Sequence, residues 1–294
     1  MSDILKPHQR LPYQASIDRP PLALPGGARV VVFLVVNIER WDIDRAMPRQ
    51  ALSAPQGAAV IPDLPNWAWH EYGMRVGFWR LKAALDLHGI APTLAINGAV
   101  PAAYPRVTQA CREAGWEFMV HGYHQMATHL VEDQRAMIRD AIAALRSAGG
   151  HEPVGWLAPG LTETLETPDL LAEAGIRYCA DWVVDDLPTR IETTHGPLLT
   201  MPYSVELNDI PMMTIQHHRA EELYDRIVAQ FERLYEEVPE QGAKVMGLAV
   251  HPYISGVPHR IGWFERALAY LAGRPGVLFW QGRQIMDWYN RATA

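Results

Sequence analysis

The residues most able to do chemistry are grouped in one short stretch. An apolar run, residues 116–120, is followed by four side chains that could bind a metal or move a proton: His121, His124, Gln125 and His129. Imidazoles exchange protons near neutral pH and are common metal ligands. A short apolar run of this kind is typical of a buried strand. Because parallel α/β proteins carry their chemistry where strands end, the stretch predicts a site for a metal or an activated water.

Polar side chains also follow the other apolar runs. Asn37 and Glu39 come directly after residues 30–36, and their alternation should point both to the same side. Further polar residues at such ends are Asn97, Asp185, Asp186, Asn208, Asp209 and His251. In a β/α barrel these ends converge on one face. Carboxylates, imidazoles and amides brought together there suit a metal site or a water-activating site.

The elements that must position these residues alternate along the chain. We predict strands at residues 30–36, 93–97, 116–120, 154–158, 176–182, 198–203, 245–250 and 277–280. Helices are predicted at residues 77–88, 104–114, 132–148, 168–174, 220–238, 263–272 and from 283 onward. This order predicts an α/β protein with a distorted parallel (β/α) barrel of about seven to eight strands. The barrel would form one domain, residues 28–294, after a proline-rich extended arm at residues 1–27.

Residues 42–70 show no sustained periodicity and contain four prolines, which predicts a long loop. Trp67 and Trp69 lie near its end. Two interpretations remain open for them: packing over the barrel edge or at a subunit contact, and a lid over the substrate.

The amino-acid composition of the chain argues against some classes of function. The chain has 294 residues, of which 49% are hydrophobic and 20% charged, as in an ordinary globular protein. A net charge of -7 argues against a nucleic-acid surface. No apolar stretch approaches the roughly 18 residues of a membrane helix, and no signal-peptide pattern is visible, so we expect a cytoplasmic protein. Cys111 and Cys179 form no CxxC pair and are expected to be buried thiols.

Several stretches together resemble the polysaccharide deacetylases, also called NodB-homology proteins. They are Asn37-Ile38-Glu39, residues 71–80, His121-Gly122-Tyr123, Gly155-Trp156-Leu157, residues 185–188, residues 203–209 and residues 251–256. The resemblance covers nearly everything from about residue 28 onward. It is closest to the branch of cofactor-independent allantoinases and cyclic imide hydrolases.

The resemblance implies roles for particular residues. The family's acidic pair, one a base and one a metal ligand, falls on Asn37 and Glu39, and its late general-acid histidine falls on His251. Its second motif, a histidine followed four residues later by another, is His121 and Gln125 here. Gln125 would be a weak Zn²⁺ ligand, so His124 or His129 would replace it or the metal is absent. A divalent metal held by Glu39, His121 and Gln125 or His129 is therefore left open.

The expected function is hydrolysis of a C–N bond in a small cyclic amide such as an imide, a hydantoin-like ring or allantoin. Glu39, His251, Asn37 and Asp186 are expected to be catalytic. We expect five residues to bind substrate: Trp67, Arg75, Trp156, Tyr203 and Asn208. Arg75 and Arg80 could equally make surface salt bridges.

Two alternatives remain, an amino-sugar de-N-acetylase and an inactive binding homologue. A homo-oligomer, a tetramer, is expected from the resemblance and the arm. The only other partner expected is the small-molecule substrate, with no nucleic acid and no membrane.

Overall fold

The protein is represented by a computed structural model that describes residues 4–294. Its centre is a sheet of nine strands. They are β1 Val30–Ile38, β2 Thr93–Ile96, β3 Glu117–Val120, β4 Gly155–Trp156, β5 Tyr178–Cys179, β6 Thr189–Ile191, β7 Leu198–Thr200, β8 Lys244–Val250 and β9 Val277–Phe279. Strand β1 is almost wholly β-branched or apolar, and every one of its residues is buried. Burial on both faces is what a central strand of a parallel sheet requires.

The sheet is curled, and nearly all its strands are parallel. The order of the strands is β6-β7-β5-β4-β3-β2-β1-β8, with β9 paired to the first residues of β1. Only β6 runs antiparallel, against β7. A single parallel bridge between Asn208 and Ala249 connects the chain beyond β7 to β8 and brings the two sides of the curl together. This confirms the predicted α/β class and the distorted barrel.

Helices cover the outside of the sheet. They are α1 Pro7–Arg10, α2 Leu64–Tyr72, α3 Phe78–Leu87, α4 Val100–Ala103, α5 Pro105–Glu113, α6 Gln134–Gly149, α7 Thr167–Glu173, α8 Ala220–Gln241, α9 Ile261–Ala272 and α10 Gly282–Ala292. Helix α8 buries four residues at helical spacing, namely Leu223, Ile227, Phe231 and Leu234. Helix α6 begins where the Asp133 carboxylate accepts the Ala136 N–H. It ends at Gly150, whose φ of 76° suits glycine.

The region predicted as a loop, residues 42–70, ends in helix α2 instead. Asp63 caps this helix by accepting the Asn66 N–H, and Pro65 lies in the first turn. The helix continues through a π-helical turn, Gly73–Gly77, into α3. A second π-helical turn, Ile210–Ile215, follows the bridge at Asn208. The side chains that helix α2 buries are mainly polar. Its sequence therefore shows no apolar residues at helical spacing, and the helix was not predicted.

Strands β4 and β5 are shorter than predicted, with two paired residues each. After β5 the Asp181 carboxylate accepts the backbone N–H of Ala158, so a side chain takes the place of the next ladder bond. The antiparallel strand β6 was not predicted. These differences affect the lengths of individual strands and leave the order of the predicted strands along the chain unchanged.

Residues 4–27 run along the barrel and are fixed to it at separate points. The Arg10 guanidinium is buried, pairs with Asp169, and donates to the carbonyls of Leu165 and Glu192. Arg19 makes a two-point contact with Asp185 at 2.6 and 2.8 Å. Within residues 4–294, no helix combines the length and the apolar character needed to cross a membrane.

Candidate active site

A cavity of about 690 Å³ opens at the carboxyl ends of the strands. Glu39 follows β1, His121 follows β3 and His251 follows β8, and all three line this cavity. Four more of the predicted site residues line it as well: Asn37, Gln125, Tyr203 and Asn208. Parallel strands deliver these side chains to one place because their ends share one edge of the barrel. The volume is that of a small-molecule site.

Glu39 is the centre of the site. Its Oε2 accepts the Trp41 indole N–H at 2.8 Å and the Tyr253 hydroxyl at 3.3 Å, and its Oε1 accepts the Gln125 amide at 2.9 Å. Burial raises the pKa of Glu39, but the nearby His121 and His251 outweigh burial and lower this pKa to about 2. Glu39 is therefore a carboxylate at every pH at which the protein would work.

His251 is held by Asp209. Its Nδ1 lies 2.6 Å from Asp209 Oδ1, and its backbone N–H donates to Oδ2 at 2.8 Å. Ser255 adds a further hydrogen bond to Oδ2. Burial disfavours the imidazolium, but Asp209 and Glu39 outweigh burial, so the pKa of His251 is raised. A protonated His251 directs Nε2–H towards Glu39 Oε1, which is 3.7 Å away.

His121 is oriented by the main chain. Its Nδ1 lies 2.6 Å from the carbonyl oxygen of Leu157, which can only accept a hydrogen bond, so Nδ1 carries the proton. When the ring is neutral, its Nε2 is an acceptor. It lies 3.7 Å from Glu39 Oε1, on the cavity side. A neutral His121 and a protonated His251 therefore place an acceptor and a donor on either side of a molecule bound at Glu39 Oε1.

Tyr203 is a hydroxyl donor without an acceptor in the surrounding protein, within residues 4–294. Its Oη accepts the side-chain amides of Asn208 at 3.1 Å and Asn37 at 3.5 Å. Asn37 also donates to the carbonyl of Val250. Since both amides donate to Oη, the hydroxyl hydrogen is available to the cavity that Tyr203 lines. Burial raises the pKa of Tyr203, so the phenol keeps its proton.

A chain of hydrogen bonds decides whether Gln125 could bind a metal. The Arg40 backbone N–H donates to Asn97 Oδ1 at 2.9 Å, which turns Asn97 Nδ2 towards Gln125. Asn97 Nδ2 donates to Gln125 Oε1 at 3.0 Å, so the NH₂ group of Gln125 faces Glu39. An amide NH₂ is a donor and cannot ligate a cation.

The donor set therefore does not fit the divalent metal that the resemblance left open. Within residues 4–294, no three His, Cys, Asp or Glu side chains are arranged to hold a metal ion. His129 is exposed and does not line the cavity. His124 is half-buried and does not line the cavity, and its Nδ1 lies 3.1 Å from Asp42 Oδ2. Neither histidine replaces Gln125.

Asp186 was expected to be catalytic, and this prediction is wrong because the structure does not bring Asp186 to the site. The Asp186 carbonyl accepts the N–H of Val245, at the amino-terminal end of β8, whereas His251 follows the carboxyl end. The Asp186 carboxylate is half-exposed and lies 3.5 Å from Lys244 Nζ. The segment after β5 turns back across the barrel instead of continuing the strand.

Three predicted substrate-binding residues also lie outside the cavity lining. The Trp67 indole donates to the carbonyl of Trp41 and packs against the core. Arg75 is exposed and pairs with Glu71, which is the surface salt bridge left open above. Trp156 is fully buried inside the sheet. For Arg80, the guanidinium donates to Tyr72 and to the carbonyl of Gly256.

The sequence did not assign roles to several residues that shape the site. Asp209 was noted only as a polar strand end, and its position beside Asn208 was the available signal. Trp41, His70 and Tyr253 form an aromatic wall behind Glu39, with Trp41 stacked on His70 at 4.5 Å. Burial lowers the pKa of His70 to about 4, so this ring is neutral. No spacing rule predicts such a wall.

The chain is similar to known proteins. Residues 70–179 match a family model described as polysaccharide deacetylase. A curated Schizosaccharomyces pombe protein with a provisional polysaccharide deacetylase name is 26% identical over 289 residues, which cover 86% of this chain and 88% of that protein.

Two crystal structures cover 93% of this chain and 95% of their own. A probable polysaccharide deacetylase from Pseudomonas aeruginosa PAO1 has a TM-score of 0.81 at 27% identity. PuuE allantoinase has a TM-score of 0.82 at 24% identity, which shows a shared fold. The family match, the relatives and the family motifs around Glu39, His121 and His251 agree. Residues 70–179 therefore match a polysaccharide deacetylase domain, as the resemblance of the sequence predicted.

Proposed function

We propose that the protein hydrolyses a C–N bond in a small cyclic amide, such as a cyclic imide or a hydantoin-like ring. One observation carries this proposal. An acceptor nitrogen on His121 and a donor nitrogen on His251 each lie 3.7 Å from Glu39 Oε1 in one cavity. That is the arrangement a hydrolase needs to remove a proton from water and return one to a leaving nitrogen.

The first step is attack by water on the ring carbonyl carbon. Glu39 Oε1 accepts one hydrogen of this water and orients it. Because three donors stabilise its charged form, Glu39 is a weak base, and the proton passes instead to the free Nε2 of His121. This role for His121 differs from the sequence analysis, in which Glu39 was expected to be catalytic and His121 was named only as a possible metal ligand.

The attack places a negative charge on the carbonyl oxygen. We assign the stabilising donor to the Tyr203 hydroxyl, because Asn37 and Asn208 already fix its oxygen as an acceptor. Asn37 and Asn208 then act through Tyr203 as positioning residues. Collapse of the tetrahedral species breaks the C–N bond, and His251 Nε2–H protonates the departing nitrogen. Asp209 keeps His251 protonated for this step.

Two features support a cyclic substrate. A solved protein with the same fold over nearly the whole chain is an allantoinase. The acid–base pair needs no metal to act on an imide, because an imide nitrogen is a better leaving group than an amine. We accordingly propose that hydrolysis proceeds with this chain's own side chains.

De-N-acetylation of an amino sugar is the second candidate. It is supported by the family match and by relatives named as polysaccharide deacetylases. The bond broken is also a C–N bond of an amide, so the same residues could act on it.

A paired assay separates the two candidates. The purified protein is incubated with succinimide, hydantoin and allantoin, and separately with N-acetylated chito-oligosaccharides. Ring opening is followed by loss of ring absorbance, and acetate release by an enzyme-coupled assay. We expect ring opening without acetate release, undiminished after dialysis against a chelator. Acetate release alone would favour the second candidate, and activity lost on chelation and restored by Zn²⁺ would contradict the metal-independent route.

A further inference from the structure

Two arginines, Arg45 and Arg49, line the cavity of a protein whose net charge is -7. The loop after β1 carries Arg40, Arg45 and Arg49 together with two carboxylates, Asp42 and Asp44, of which only Asp42 forms salt bridges within residues 4–294. Asp42 lies 3.2 Å from an Arg40 nitrogen and 3.9 Å from an Arg45 nitrogen. Asp42 is therefore shared by two guanidinium groups, and the third, that of Arg49, has no carboxylate paired with it among the described residues.

Arg49 has no salt-bridge partner within residues 4–294, and its side chain is exposed at the cavity that Glu39 and His251 also line. Its charge is close enough to act on both His251 and Tyr253. Arg45 lines the same cavity, is half-exposed, and reaches no carboxylate more closely than Asp42.

The lining also includes four apolar side chains, Met126, Ala127, Leu130 and Leu161, and the Arg45 guanidinium lies 3.8 Å from Met126 Sδ. The carboxylates of the lining are those of Glu39 and Asp42. Guanidinium groups bind carboxylates through two parallel hydrogen bonds, and an unpaired one in a partly apolar cavity is suited to an anionic group on a ligand.

We propose that the substrate is a cyclic amide carrying a carboxylate, and that Arg49, assisted by Arg45, binds that carboxylate while the ring lies against Glu39, His121 and His251. This inference rests on the proposed function and narrows its substrate class. Arg49 is a substrate-binding residue that sets specificity and takes no part in proton transfer.

The test uses two probes of nearly equal shape, hydantoin-5-acetic acid and its neutral amide. Binding of each to the full-length protein is measured by calorimetry at pH 7.5, together with ring opening of each. We expect the acid to bind about 10-fold or more tightly than the amide, as a charge-assisted hydrogen bond would give. Arg49→Gln should remove most of this preference, and Arg49→Lys should restore part of it.

The matched control is Arg139→Gln, a change at an exposed arginine of α6 that lies outside the cavity lining. It should leave the preference for the acid unchanged. Equal binding of the two probes, no binding of either, or a preference that survives Arg49→Gln would overturn the inference, even if rings are opened. A preference that depends on Arg49, without ring opening, would leave the carboxylate site standing and contradict the hydrolase proposal.

Discussion

At the scale of single residues, the site is organised by which hydrogen bonds are already used. Glu39 receives three donors, His121 is fixed by a carbonyl and His251 by a carboxylate. Each of these contacts removes one protonation state or orientation from the choices a free side chain would have. The remaining free atoms are an acceptor on His121 and donors on His251 and Tyr203.

Tyr203→Phe tests the donor to the developing oxyanion. The substitution keeps the ring and removes the hydroxyl that Asn37 and Asn208 support. We expect kcat to fall about 100-fold with little change in KM, because the lost hydrogen bond strengthens only in the transition state. Steady-state kinetics on the cyclic substrate measure both constants. A rise in KM with unchanged kcat would instead make Tyr203 a ground-state binding residue.

Asp209→Asn tests the state of His251. The leaving nitrogen takes a proton from His251, so activity requires the protonated ring and is lost as pH rises through its raised pKa. Without the Asp209 charge that pKa falls, so the alkaline limb of the kcat profile should move to lower pH.

At neutral pH we expect kcat to be lower by about 100-fold, within the usual range for general acid catalysis. The measurement is kcat against pH for both proteins, with unfolding by urea as a check on stability. An alkaline limb that stays in place would contradict the role given to His251.

At the scale of elements, a close backbone contact supports the His251 loop. The π-helical turn Gly73–Gly77 packs on residues 252–256, and a Cβ at Gly77 would overlap the carbonyl of Pro252. A side chain there cannot be accommodated unless the loop moves, and that loop begins with His251.

Gly77→Ala should therefore lower the free energy of unfolding by about 1–3 kcal/mol, as overpacking does, and should lower kcat as well. The control is Gly262→Ala in α9, where a Cβ would meet nothing within 4 Å. Urea unfolding and steady-state kinetics of the two variants give the comparison. Equal stability of both variants would show that the loop yields without cost.

Whether an element could be predicted from the sequence depended on how strong its residue pattern is. Strand β1 and helix α8 were predictable because each has one strong pattern, continuous burial in the first and one apolar face in the second. Helix α2 was missed because its buried side chains include Asn66, His70 and Glu71, which give no apolar period.

The prediction of site residues also depended on how regular the preceding strand is. Glu39, His121 and His251 were predictable because each follows a regular strand. Asp186 was misplaced because the chain reverses after a two-residue strand. Orientation was beyond prediction, since the direction of the Gln125 amide depends on Asn97 and on a backbone N–H far away in sequence.

At the scale of the whole molecule, residues 4–27 connect parts of the barrel that are distant in sequence. Arg10 is only 1% exposed and binds Asp169 and the carbonyls of Leu165 and Glu192. This contact fixes the start of the chain to the loops around α7 and β6. The domain division at residue 27, the homo-oligomer and the cytoplasmic location stay predictions.

Arg10→Gln should destabilise the protein by about 3 kcal/mol, because it leaves a carboxylate and two carbonyls without their buried cation. The free energy of unfolding in urea measures the effect. Arg139→Gln, at a side chain that is 70% exposed, should change it by less than about 0.5 kcal/mol. A small effect for both would mean that the arm is held elsewhere, for example where the Trp288 indole donates to the Ala23 carbonyl.

The chain of hydrogen bonds from the Arg40 N–H through Asn97 to Gln125 bears on how this site can change in evolution. Glutamine and histidine codons differ only in their third base, so one point mutation, Gln125→His, exchanges an NH₂ group for an imidazole beside Glu39 and His121. We expect that variant to take up Zn²⁺ in a titration in which the parent protein does not, because a third ligand would complete the set. One nucleotide would then separate two lineages of the same barrel, one dependent on the supply of a trace element and the other free of it.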